Sequence, residues 1–264
     1  MTTFTSQVEA GGTVTLPSGT TVWDSAINIT APVSVLGQSD GSSTVQLPAN
    51  PQANFIAADG TPLGPPGTTH TISNNLCRTT GAVADIVWQN VTFDLNIQQY
   101  SDAFGGSVFW HRGGNAQALC PTYENITFKN GWGGQPNGGP NGIQINSSGI
   151  LIKNFTWTSN AVAPTQVGAF GLPDALVFGG GPGFVLDTVD IDGYIEFDQA
   201  PCTGLSIKDL TVNKILIGDL TGTDWEGAVI NVTLNNTTYN ALTVDTACTG
   251  LTIKTQNGSI VFNQ

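Results

Sequence analysis

Positive charge is scarce in this chain of 264 residues: seven Lys and Arg stand against nineteen Asp and Glu, a net charge of −12. The seven are Arg78, Arg112, Lys129, Lys153, Lys208, Lys214 and Lys254, and they form no basic stripe. A phosphate backbone would find no row of counter-charges, so no nucleic-acid partner is expected. An anionic polysaccharide would be repelled unless cations intervened. Neutral glycans, or acidic ones bridged by calcium, fit the balance. Long apolar runs are missing too: none approaches the roughly 18 residues that cross a bilayer, so no membrane span is expected. Stretches of Ala, Leu, Glu and Lys at a helical period are absent, which argues for almost no α-helix.

What remains is rich in Gly, Thr, Asn and Ser, and it repeats. "DIVWQNVTFD" (85–94), "YENITFKN" (123–130), "ILIKNFTWTSN" (150–160), "FVLDTVDIDG" (184–193), "LSIKDLTVNK" (205–214) and "AVINVTLNN" (228–236) share one shape. Alternating apolar residues lead into a polar bend, and two more apolar residues follow. The residue after the bend marks the phase: Val91, Ile126, Phe155, Val189, Leu210 and Val232, at spacings of 35, 29, 34, 21 and 22 residues. A short period with occasional insertions is the pattern of a β-solenoid. A single short strand cannot bury its apolar face alone, whereas stacked coils bury a continuous core. Trp88 and Trp157 fall on inward positions and are expected in that core.

The "NITFKN" repeats and the "ITAPVSVLG" stretch resemble the right-handed parallel β-helix of the pectate-lyase-like superfamily, over roughly residues 8–263. That resemblance implies an all-β, single-domain right-handed parallel β-helix spanning 1–264, with long loop insertions near 57–84, 95–122, 131–149 and 159–183. The superfamily includes polysaccharide lyases, glycoside hydrolases, epimerases and non-catalytic adhesins. Its Arg-x-Pro-x-x-Arg motif is absent here, as are the Asp-Asp, Gly-His-Gly and Arg-Ile-Lys motifs of polygalacturonases, so no catalytic residue carries over.

Candidate residues therefore come from the pattern. The first outward position after each bend reads Thr92, Thr127, Thr156, Asp190, Thr211, Thr233, and the second reads Asp94, Lys129, Thr158, Asp192, Asn213, Asn235. Asp190 and Asp192 break a Thr/Asn ladder. Two residues along a strand is about 6.6 Å, near the ~6.5–9.5 Å between the carboxyls of inverting glycosidases. The plainer reading is a pair of solvated aspartates. The insertions carry Tyr100, Trp110, His111, Arg112, Trp132 and Asp174, whose rings and carboxylates suit a sugar groove or, singly, local loop packing.

Two reactions are open. In hydrolysis, Asp190 and Asp192 share the acid and base roles. In β-elimination, Asp94, Asp190 and Asp192 hold calcium against a uronate, Lys129 or His111 removes the proton, and Arg112 stabilises the enolate. Calcium is the only cofactor considered. The competing class is a non-catalytic glycan-binding or adhesion module. Four cysteines and nine Asn-x-Ser/Thr sites suggest a secreted glycoprotein. A Cys77–Cys120 disulfide is open, whereas Cys202 and Cys248, two coils apart, are expected not to be bonded to each other. The Asn-x-Thr sites have a second explanation, because Asn at a bend followed by an outward Thr writes the same pattern.

Overall fold

The computed structural model describes residues 2–47, 76–81, 83–96, 107–112, 121–130, 141–145, 149–158, 174–178, 181–182, 184–197, 202–203, 205–217, 231–235, 237–244, 251–255 and 258–262. The chain is a parallel β-solenoid whose strands stack into three faces. The first sheet begins with β1 (Gly12–Thr15), the second with β2 (Gly19–Val22) and the third with β3 (Ile27–Ile29). The next coil repeats the order with β4 (Val33–Leu36), β5 (Ser43–Gln46) and β6 (Cys77–Thr80). From there the first two faces share one bent strand per coil. These are β7 (Ile86–Asp94), β9 (Thr122–Lys129) and β11 (Ile150–Thr158), with the third face supplied by β8 (Ser107–Arg112), β10 (Asn141–Ile145) and β12 (Asp174–Phe178).

After the short β13 (Gly181–Pro182), β14 (Phe184–Phe197) runs through all three faces, and so does β16 (Leu205–Ile217) after β15 (Cys202–Thr203). The last coils are β17 (Asn231–Asn235), β18 (Thr238–Val244) and β19 (Leu251–Thr255). Then β20 (Gly258–Phe262) turns back antiparallel on β19 and ends the stacking of the first sheet. At the other end α1 (Phe4–Glu9), capped by Thr3, lays Phe4 and Val8 on the first coils.

The third sheet is the main departure from the sequence pattern. The segments expected as insertions each contain one of its strands, β6, β8, β10 or β12. In sequence, residues 48–75, 97–106, 131–140 and 159–173 separate the strands of the second face from those of the third, and they lie outside the described residues.

Inside, side chains stack in register. One column of the first sheet reads Val14, Val35, Trp88, Tyr123, Ile152, Leu186, Ile207. In the second sheet Phe93, Phe128 and Trp157 succeed one another with ring centroids 5.0 and 5.2 Å apart and interplanar angles of 24° and 27°. Parallel strands set that spacing, about 4.8 Å, so identical positions on successive coils stack face to face. Trp88 and Trp157 are buried as expected.

The bend between the first two sheets has its own chemistry. Asn90, Asn125, Asn154, Thr188 and Asp209 occupy it with φ between 51° and 59°. Asn tolerates this left-handed region better than most residues. Asn125 Nδ2 donates to Asn90 Oδ1 at 2.7 Å, and Asn154 Nδ2 donates to Asn125 Oδ1 at 2.8 Å. Gly37 precedes Asn90 at this corner, where a Cβ would lie 2.0 Å from the Asn90 carbonyl oxygen. The Asn-x-Thr signature at 90, 125 and 154 is thus written by the corner: bend, buried apolar residue, outward Thr. In Asn125 and Asn154 the nitrogen that would carry a glycan donates to the ladder.

Candidate functional site

Two outward columns flank this corner. On the first sheet the rungs read Gln89, Glu124, Lys153, Asp187, Lys208. Gln89 Nε2 donates to Glu124 Oε2 at 3.0 Å, Lys153 Nζ lies 3.2 Å from Glu124 Oε1, and Lys208 Nζ lies 3.5 Å from Asp187 Oδ1. The Asp187 carboxylate, and then Asp209, hold the Lys208 ammonium above the ordinary lysine range. Every charge here meets its opposite on the next coil.

The second sheet differs. Its rungs read Thr20, Thr44, Thr92, Thr127, Thr156, Asp190, Thr211, and the register continues to Thr238. Thr238 stands where the sequence pattern puts Thr233. Val232 pairs with Leu205 and Thr233 with Ser206, so both lie in the first sheet. Asp190 is exposed on β14, and among the described residues it has neither a hydrogen-bond nor an ion-pair partner. It lines a groove of ≈ 310 Å³ together with Asn154, Thr156, Thr188, Asp209 and Thr211.

Asp209 is a site residue that the sequence reading passed over, although its place in the Asn ladder marks it as an outward corner carboxylate. It lies one rung and two residues from Asp190, roughly 8 Å at the usual strand spacings. Its carboxylate is 3.4 Å from Lys208 Nζ. Asp192 is also exposed, with buried Ile191 between it and Asp190. It sits where the β14–β16 register shifts, outside the residues that line the groove.

Asp94 and Lys129 form a different structure. Asp94 is 7% exposed and accepts from Gln46 Nε2 at 2.9 Å, Asn130 Nδ2 at 2.7 Å and the Asn96 N–H at 3.2 Å. Lys129 Nζ lies 3.6 Å from Oδ2, the oxygen that also accepts from Gln46. This knot ties three coils at the edge of the second sheet and leaves the carboxylate few free lone pairs. It lies three coils from β14, about 14 Å at 4.8 Å per coil. The calcium set expected from Asp94, Asp190 and Asp192 is therefore not assembled, and among the described residues no group of three or more His, Cys, Asp or Glu side chains could hold a metal.

Trp110 and His111 do not face this groove. Trp110 is half-buried on the third sheet, level with Arg78 and Gln144. His111 points into the core, 2% exposed, with Nδ1 2.8 Å from Thr79 Oγ1 and Nε2 2.5 Å from the Tyr123 hydroxyl. Burial pushes its imidazole down to about 3. Phe109 and His111, two residues apart on β8, share the inward face, with half-buried Trp110 between them. The described geometry supplies no solvent path for a proton-transferring role. Arg112 and Asp174 lie on β8 and β12, but their side chains, like Tyr100 and Trp132 entirely, lie outside the described residues. Cys77 is buried and free, so it does not form the disulfide considered with Cys120, itself outside the described residues.

No family model, curated protein or solved structure matches the chain. Function has to be argued from the columns and the groove.

Proposed function

We propose that the protein binds carbohydrate on the outer face of the second sheet, with the groove at Asp190 as its centre, and that it does so without catalysis. The observation that carries this reading is Asp190, a carboxylate with no partner among the described residues, set into a column of threonines. Hydroxyls, an amide and a carboxylate at regular spacing offer acceptors and donors to a ligand that itself repeats hydroxyl groups. The charge balance favours a neutral or amine-bearing glycan over an anionic one. An extracellular location follows from the ligand, since neither the corner Asn-x-Thr sites nor the free Cys77 argues for it independently.

A second reading, glycosidic-bond cleavage, is favoured by one feature. Asp190 and Asp209 line the same groove at roughly 8 Å by strand geometry, a spacing that admits a water between acid and base. Against it, His111 and Lys129 are engaged elsewhere, in the core and with Asp94. Immobilised neutral, amine-bearing and uronate polysaccharides separate the readings. Retention without new reducing ends or unsaturated uronates supports binding. New ends that disappear in Asp190→Asn and Asp209→Asn support hydrolysis, and no retention on any glycan removes the proposal.

A further inference from the structure

The core of a solenoid is ordinarily apolar, and here one spot is not. The inward column of the third sheet reads Ile29, Thr79, His111, Ile145, Phe178, Phe197. Thr79 and His111 interrupt it on adjacent coils, at 1% and 2% exposure. Across the core, Tyr123 on β9 meets them from the first sheet, itself 0% exposed. The chain Thr79 Oγ1, His111 Nδ1, His111 Nε2, Tyr123 OH therefore links three successive coils and two faces.

A neutral imidazole suits this chain because one nitrogen donates and the other accepts. A protonated one does not. With both nitrogens donating, Thr79 and Tyr123 must each accept, and the hydroxyl that had donated to the imidazole loses that partner. A charge would also sit in the core with no anion among the described residues to meet it. Among the described residues Tyr123 meets His111 directly and Cys77 lies on the neighbouring inward column, and burial disfavours ionisation of both. Asp94, the only buried carboxylate among the described residues, is held by Gln46, Asn130 and Lys129.

We propose that Thr79, His111 and Tyr123 form an acid-sensitive latch: with His111 neutral they tie β6, β8 and β9 together across the core, and protonation of His111 releases these coils first. The sign is fixed by linkage. The folded imidazole titrates at about 3, the free one at 6.5. The unfolded chain thus holds the extra proton between those values, and stability falls as pH drops through that window. Easing of the −12 net charge by acid acts in the opposite direction, so a variant comparison is needed to isolate the latch.

The chain has only two histidines, His70 and His111. Histidine labelled with ¹⁵N in the imidazole, in the full chain carrying His70→Gln, gives a single signal to follow from pH 7.5 downwards. Expected is a neutral, single-tautomer His111 for as long as the fold persists, with amide exchange in β6, β8 and β9 accelerating on acidification before that in β14 and β16. Replacing His111 by Gln should lower the slope of the logarithm of the unfolding constant against pH by about one proton between pH 6 and 4. Should that variant not fold, the labelled parent chain decides alone. Reversible titration of His111 near 6.5 in the intact fold, an unchanged slope in His111→Gln, or acid opening that begins in β14 and β16 would each overturn the latch.

Discussion

The two columns beside the Asn corner are built on the same strands and differ in one respect. On the first sheet Glu124, Lys153, Asp187 and Lys208 alternate in sign, and each carboxylate finds an ammonium on the next coil. On the second sheet a run of threonines is broken by Asp190 alone, with Thr156 before it and Thr211 after it. Among the described residues two cations, Lys153 and Lys208, meet the carboxylates of the first column, and none meets Asp190. In the first column charge is compensated from coil to coil. Asp190 stands outside that pattern, which is why it is the residue assigned to a ligand.

Substitutions can break this contrast in order of size. Both columns rest on one core, so Ile191→Ala under the second sheet and Leu186→Ala under the first should each destabilise by about 2–5 kcal/mol in chemical denaturation. A large inequality between them would mean that the two faces are not equally anchored. The shared corner comes next. Asn125→Ala loses a left-handed residue and a link that both donates and accepts, at about 1–3 kcal/mol, and Asn125→Gly should recover the backbone part. Thr188→Asn extends the same ladder and should stabilise by about 0.5–1 kcal/mol.

The outward residues themselves should matter least to folding. Lys153→Ala removes an exposed pair with Glu124, costing about 0.2–1 kcal/mol at low salt and less as salt rises. Asp190→Asn should leave stability within about 0.5 kcal/mol at any salt concentration, because no partner is lost. A clear destabilisation by Asp190→Asn would place it with the first column and end the distinction.

Much of this frame was legible in the sequence. Val91, Ile126, Phe155, Val189 and Leu210 are in register as their spacing implies, and so are the outward Thr92, Thr127, Thr156, Asp190 and Thr211. The phase slipped at Val232 because "NVTLNNTTY" contains three Asn-x-Thr groups, at Asn231, Asn235 and Asn236, and the second sheet resumes at the last, with Thr238. The third sheet stayed hidden because β6, β8, β10 and β12 lie among glycines, asparagines and prolines, each well separated in sequence from the strand before. His111 was misplaced by its chemistry: a lone histidine beside Trp and Arg reads as reactive, while strand alternation turns it inward. The register that binds Asp94 to Gln46 and Asn130 likewise depends on which coils lie side by side.

The most direct measurement compares two single-atom exchanges on the same strand. Asp187→Asn and Asp190→Asn remove the same charge, three residues apart, from the compensated and the uncompensated column. Both proteins, folded to the same extent by denaturation, are tested against whichever polysaccharide the parent chain retains. The expected result is binding intact in Asp187→Asn and weakened at least tenfold in Asp190→Asn, about 1.4 kcal/mol or more. Equal binding by both variants and the parent chain would contradict it, and the threonine face would then be a surface without a ligand.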